Sequence, residues 1–486
     1  MSKIIRKTAL FFAVVFIMQL CSCGVVVINY DKLPGGTEKQ EGTEVVNGTD
    51  TAVTEPPVTL NVIENDYTDE IKANLAKIPD NNYNGNVFKI TSPDASTLDG
   101  DGDYEFLSEA AAKRNNYVSE KHNISIVASS VDYNTYYAEV NTAVKSGMYY
   151  ADLMMIPQEM VCSFAAGNLI LNMRSMPELD FDAGYFNKSS VGAAAGGFNS
   201  YAIAGYASVY PHSLPVIFFN KDLTGEEIYS TVTSGNWTWD RFFEIALGAS
   251  ADEYCFSWGT ADMGEAVYES AFVSCGNTMI NSGIMQVPAL AFDKDTSATA
   301  VDVIKRLYNA DSTVRVNVNT MSYFNEGNGY FYIEKLSKVN DLRGSKINWG
   351  ILPLPKADPS ANYATLAGKD SLMFACPATV STPDKSAVIL MSLNAASEGI
   401  IKDAYIEYMQ YNFLRDNGSA NMLEYVIDGV VYDFSYTFGN RYAGIADGTY
   451  HMIRRAALPE ESMESLINRY KGTLDRTLAG SFGLSN

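Results

Sequence analysis

From Val87 onward the apolar positions switch repeatedly between a period of two and a helical period. VFKITS (87–92) reads as a strand, YEFLSEAAAKRNNYVSEKHN (104–123) as a helix and ISIVASSV (124–131) as a strand. YNTYYAEVNTAVKSG (133–147) follows as a helix and ADLMMI (151–156) as a short apolar strand. Strand, helix, strand, helix, strand predicts parallel βαβ units and an α/β fold. Further on, YAIAGYAS (201–208), PVIFFNKDL (215–223) and CFSW (255–258) read as strands. TWDRFFEIALGAS opens a helix capped by Thr238, with Asp240 and Glu244 in its first turns. Long helical tracts are predicted over Thr299–Ala310, Asp384–Ala395 and Ile400–Asn417, and no repeat of solenoid period is visible.

The segment before this pattern has another character. Lys3, Arg6 and Lys7 precede an apolar run, Ala9 to Leu20, of about 12 residues, against the roughly 20 a membrane-spanning helix needs. That layout is a secretory signal. Leu20-Cys21-Ser22-Cys23-Gly24 resembles a bacterial lipobox with Cys23 as the lipid-modified residue; in the frame of Cys21 the preceding Leu20 is not small. Residues 24–66 are rich in Thr, Glu, Gly, Val and Pro without a sustained period, the composition of a tether. Asp66 to Ile78 is expected to form a short helix.

Past the signal, roughly 460 residues remain, more than one hydrophobic core usually serves, so two lobes are expected. The formal net charge of −22 argues against nucleic acid, or an anionic lipid surface, as a partner of the protein face. Cys162, Cys255, Cys275 and Cys376 show no zinc-type spacing; Cys255 and Cys275 could pair, or all four could be small buried apolar groups.

Several stretches, in order, resemble the extracellular solute-binding proteins of ABC importers, of the type that binds sugars. They are Arg114-Asn115 with EKHNISI, ADLMMIPQE with FAAGNLILNM, VIFFNKDL, NWTWDRFFEIA, FNEGNGYFY, WGILPLPKAD and ATLAGKDSLMFACPATVSTPDKSAVILMSLNAAS. The likeness covers roughly residues 80 to 480. It implies a two-lobed periplasmic-binding-protein-like fold with a hinge and an interlobe cleft. The expected layout is a signal peptide at 1–22, a lipid-anchored tether at 23–80 and a first lobe at 81–209. A second lobe at 210–345, a return through the first lobe at 346–395 and a shared C-terminal helical segment at 396–486 complete it.

Ligands of open α/β sheets collect beyond the carboxyl ends of parallel strands. Gln158 and Glu159, after ADLMMI, are therefore expected at the cleft, and the resemblance gives Glu159 a sugar hydroxyl to bind. Tyr210, His212 and Ser213 fall in the first crossing, Ala207 to Pro215. Glu334 ends GYFYIE, Lys369 and Asp370 follow a glycine in ATLAGKDS, and Arg441 and Tyr442 lie in FGNRYAG. Trp258 is the candidate stacking platform, whereas Trp237, Trp239 and Trp349 read as packing. Sugars need flat apolar faces and planar polar groups, which 31 Tyr, 23 Phe and 4 Trp among many carboxylates can supply. Each candidate has a plain alternative: a solvated carboxylate for Glu159, hinge packing for Tyr210, core for Trp258.

No nucleophile elbow, phosphate-binding loop or complete dinucleotide fingerprint occurs, and no cofactor or metal is expected. The acids of DGDGDYE break the calcium-loop pattern at Tyr104 and Ala110. The expected function is capture of a mono- or oligosaccharide for the permease subunits of an ABC importer, without catalysis. A surface lipoprotein that binds or degrades glycans without a permease is the alternative. Cys23→Ser is expected to release the chain from the cell into the medium with solute binding intact; fractionation followed by calorimetry checks this, and loss of binding would refute the separation of anchor from cleft.

Overall fold

The computed structural model describes residues 67–100, 105–209, 211–247, 256–259, 263–264, 266–291, 295–314 and 320–483. Every described residue belongs to one compact unit, Asn65–Asn486. Cys23, Tyr210, Cys255 and the acids at 101 and 103 lie outside the described residues.

Two four-stranded sheets organise this unit. β1 (Asn86–Ser92), β2 (Ile124–Ser130) and β3 (Leu153–Pro157) run parallel in the order β2-β1-β3, joined by the helices Glu105–His122 and Tyr136–Lys145. The expected βαβ units are therefore present. β4 (Pro215–Asn220), β5 (Phe256–Trp258), β6 (Phe331–Lys335) and β7 (Trp349–Leu352) form the second sheet in the order β7-β4-β6-β5, with β5 and β6 parallel and β4 antiparallel to both β6 and β7. The chain then passes through β8 (Thr365–Leu366) to β9 (Leu372–Ala375), which joins the first sheet antiparallel to β3. A later strand, β10 (Val430–Val431), pairs parallel with β8.

Both sheets are covered on both faces, which is why β3 and residues 215–219 of β4 are continuously apolar rather than alternating. Along β3, Leu153 and Met155 join Phe88 and Ile90 in one core, while Met154 and Ile156 join Tyr136, Val140 and Phe164 in another. Along β4, Ile217 and Phe219 pack toward Trp237, Trp239, Phe242 and Phe243, and Val216 and Phe218 toward Trp349, Tyr405 and Leu423. The tryptophans read as packing are packing: Trp237 donates its indole N–H to the Pro353 carbonyl at 2.9 Å, Trp239 to Ser274 at 2.9 Å and Trp349 to the Leu342 carbonyl at 3.1 Å. Thr238 caps the helix Trp239–Ala246 by accepting from the Arg241 amide at 3.3 Å. The helix Thr68–Leu75 sends Ile71 and Leu75 into the first sheet's core.

Two expectations fail. YAIAGYAS is not a strand: Ile203 bridges only Phe374, and Tyr206–Ser208 is a 3-10 turn. Asn394 supplies the reason, since its side-chain oxygen accepts from the Ala207 amide at 3.0 Å and satisfies backbone that a strand would have paired. The helix expected over Ile400–Asn417 stops at Asn412, and a second runs Asn417–Asp428. Asp416 separates them, capping the second helix by accepting from the Ser419 amide at 2.7 Å. Cys162, Cys275 and Cys376 are free thiols, the first and last buried.

Arg114, in the helix Glu105–His122, is wholly buried. It donates to the Thr97 carbonyl at 2.8 Å, to Ser397 at 3.2 Å and to its neighbour Asn115 at 2.9 Å. Arg114→Ala is expected to cost about 3 kcal/mol, because it leaves a cavity and buried acceptors without a donor. Arg114→Lys should recover less than half of that, an ammonium being unable to fork; urea unfolding measures both.

Candidate functional site

The carboxyl ends of β1, β2 and β3 share an edge with the start of antiparallel β9, since Leu372 pairs with Pro157. In the second sheet the ends of β5 and β6 lie beside the start of β4, where Lys335 pairs with Pro215. One compartment of about 500 Å³ is lined from the first lobe by Asp94 after β1, Tyr133 after β2, Glu159 after β3 and Lys369 and Asp370 before β9, and from the second by Lys335. An adjoining inner compartment of about 230 Å³ shares Lys335 and Lys369 and adds Ser213, Ser270, Tyr436 and Arg454.

Backbone pairing holds the first wall. The Gln158 amide donates to the Ser371 carbonyl at 2.8 Å and the Glu159 amide to the Lys369 carbonyl at 2.9 Å, so the return segment runs alongside the start of the helix Gln158–Ala166. The Glu159 carboxylate accepts from the Tyr133 hydroxyl at 2.6 Å on one oxygen and from the Asn440 amide at 3.0 Å on the other. Asp370 meets Lys335 across the lobes at 3.6 Å through one oxygen; the other is buried without a hydrogen-bond partner among the described residues.

The inner wall is a buried charge network. Glu269 is fully buried; it accepts from the Tyr436 hydroxyl at 2.9 Å and from the Arg454 Nε at 2.7 Å. Burial pushes its carboxyl above the usual range, against the downward pull of Arg454 and Tyr436. The Lys369 ammonium stands 5.1 Å from the Tyr436 ring centre and 4.4 Å from that of Tyr450. Burial lowers its pKa, opposed by Glu269 and Glu159. At the crossing, the Ser213 and Ser371 hydroxyls share a 2.8 Å hydrogen bond, and the His212 ring packs edge-on against Tyr405 at 5.5 Å. Burial lowers the His212 pKa while Asp94 and Asp370 pull it upward.

Of the residues singled out from sequence, Glu159, Lys369, Asp370 and Ser213 line these two compartments. Gln158 is buried beneath them, donating to the Asp433 carbonyl at 2.7 Å and to Thr437 at 3.1 Å. Glu334 is also buried, accepting from the Lys335 amide at 2.8 Å. Trp258 is only 2% exposed and stacks on Phe256 in the second lobe's core. Arg441 and Tyr442 lie outside both linings, Tyr442 packing on Phe482 at 5.6 Å. Asp94, Tyr133, Lys335, Tyr436 and Arg454 escaped the sequence reading. Asp94, Tyr133 and Lys335 carried a usable signal, the first two just beyond the carboxyl ends of the parallel strands β1 and β2 and the third the last residue of β6.

Another cavity of about 500 Å³ is lined by Leu214, Ser371, Val430 and Tyr432 of the crossing segments together with Tyr185, Tyr206, Lys402 and Asp428, and shares no residue with the other two. Among the described residues no group of His, Cys, Asp or Glu is placed to hold a metal, and no helix is long and apolar enough to cross a membrane.

A family model described as bacterial extracellular solute-binding protein matches residues 110–409, more than half of the chain. The fold is similar to that of the cyclic alpha-maltosyl-1,6-maltose binding protein from Arthrobacter globiformis, with a TM-score of 0.53 at 13% identity over 81% of this chain and 99% of that one. It is also similar to a cyclo/maltodextrin-binding protein complexed with maltotetraose, with a TM-score of 0.50 at 14% identity over 81% of this chain and 98% of that one. No curated protein sequence matches. The chain belongs to the bacterial extracellular solute-binding proteins, a family of two-lobed binding proteins whose place is outside the cytoplasm.

Tyr436→Phe removes one of the donors to buried Glu269 and is expected to lower stability by about 1–3 kcal/mol. A shift in the urea midpoint at constant m-value would show it; an unchanged midpoint would mean that Arg454 alone satisfies the carboxylate.

Proposed function

We propose that this solute-binding protein is a lipid-anchored receptor that captures a carbohydrate between its lobes and delivers it to the permease subunits of an ABC importer. The observation that carries the reading is the outer compartment. Three carboxylates, Asp94, Glu159 and Asp370, converge there with Tyr133 at the carboxyl ends of parallel strands. Planar carboxylates accept paired hydrogen bonds from adjacent ring hydroxyls, and a tyrosine face covers the C–H side of a sugar. The compartment draws walls from both lobes, so a ligand held there would favour the closed arrangement by its contacts to Lys335 on one side and Glu159 on the other. The two structural relatives named above bind maltose-type oligosaccharides by their titles, which agrees with a sugar without naming which one.

Anchoring supports the same role. The lipobox-like Leu20–Gly24 and the tether beyond it would keep the receptor within reach of a membrane permease. Multiple acyl chains at about 0.8 kcal/mol per buried methylene suffice without a spanning helix.

A panel of mono- and oligosaccharides tested by thermal shift is expected to yield at least one that raises the melting temperature, since a ligand of the folded state stabilises it by mass action. Product analysis on the same samples should find the sugar unchanged; hydrolysis would sink the receptor reading. Glu159→Gln, which keeps the shape and removes the charge, should weaken the bound sugar by about tenfold, the scale of one charge-assisted hydrogen bond.

A further inference from the structure

The chain carries a formal net charge of −22, yet the inner compartment runs against it. Its described lining holds three cationic side chains, Lys335, Lys369 and Arg454, with the hydroxyls of Ser213, Ser270 and Tyr436 and no carboxylate. The three cations are not equivalent. Arg454 is held by Glu269 at 2.7 Å, and Lys335 lies 3.6 Å from Asp370. The Lys369 ammonium has no hydrogen-bond or ion-pair partner among the described residues and rests over the faces of Tyr436 and Tyr450. A half-buried ammonium without a counter-ion in contact is unfavourable, and the ring faces with the more distant Glu269 and Glu159 carboxylates compensate it only in part. Burial already depresses its pKa.

The outer compartment has the opposite polarity, with Asp94, Glu159 and Asp370 in its wall. An anion would be repelled there, whereas hydroxyls would find acceptors. Lys335 and Lys369 stand at the boundary, lining both compartments.

We propose that the captured carbohydrate is acidic, its anionic group seated against Lys369 in the inner compartment and its hydroxyl-bearing ring in the outer one. This rests on the carbohydrate reading above. A uronic acid and a sulfated sugar share the needed chemistry, a compact group of oxygens bearing negative charge. Paired with Lys369, such a group supplies a counter-ion in direct contact, which a hydroxyl cannot do. The segregation of charge also gives the ligand a direction, since reversing it would set an anion against three carboxylates.

The test uses the purified chain and sugars that differ only in charge: galactose with galacturonate, galactobiose with digalacturonate, and lactose with a sulfated lactose, each titrated by calorimetry at low and high salt. In at least one pair the charged member is expected to bind tighter than its neutral partner by about tenfold or more, the scale of one partly desolvated charge pairing, with the ratio shrinking as salt rises. Preference for the uronates or for the sulfated sugar tells the two sources apart. Lys369→Met should bring the ratio to about one and Lys369→Arg should keep it above one. If Lys369→Met does not fold, as circular dichroism would show, the wild-type ratios and the Lys369→Arg variant decide. Neutral sugars that bind as well as or better than their charged partners in every pair would overturn this inference and leave the carbohydrate reading standing. Absence of heat or thermal shift with every sugar, neutral or charged, would overturn both.

Discussion

The pairing of β9 against β3 is the contact on which the cleft depends. It joins segments more than two hundred residues apart, and it does not stop at the strand ends: the amides of Gln158 and Glu159 go on donating to the carbonyls of Ser371 and Lys369. An antiparallel return laid on parallel strands places its own first residues at their carboxyl ends. Glu159, Lys369 and Asp370 are neighbours for that reason. A slip of one residue in this register would turn every side chain on β9 to the wrong face, and both faces are packed. The apolar content of β3 and β9 thus fixes where the charged groups stand.

Beneath the cleft, Glu269, Arg454 and Tyr436 show a polar cluster held at a cost. Burying a carboxylate beside a partly buried guanidinium takes the first wholly and the second partly out of water, and their attraction repays this only when the hydrogen bonds are complete. Both Glu269 oxygens are satisfied. The tyrosine has two duties, since its hydroxyl serves the carboxylate while its ring lies under Lys369. Chemistry at the cleft surface is therefore tied to a network that cannot be thinned without exposing a buried charge.

How much of this was legible in the sequence depends on the length scale. The first βαβ units were, because each strand and helix carries its own period within a few residues. Glu159, Lys369 and Asp370 could be picked out because strand ends next to Pro or Gly can be seen locally. Glu334 shows the limit: a period of two sends alternate residues in opposite directions, and an acid at the end of GYFYIE looks the same whether it or Lys335 turns outward. Trp258 shows another, since an aromatic at a strand end reads alike in a core and in a cleft. Arg454, Tyr436 and Glu269 meet through tertiary folding alone, on three helices without a shared motif. YAIAGYAS misled because its alternation comes from small residues packed under a turn whose backbone is satisfied by Asn394, far along the chain.

The third cavity, behind Leu214, Ser371, Val430 and Tyr432, bears on mechanics. Protein interiors are packed as densely as organic crystals, and a rotation between two such bodies must displace matter somewhere. Here the crossing segments are backed by about 500 Å³ of accessible space rather than by a solid core. A change of angle between the lobes could be absorbed by that clearance while both sheets kept their packing, so the bending stiffness of the molecule would reside in the short stretches of backbone that line it.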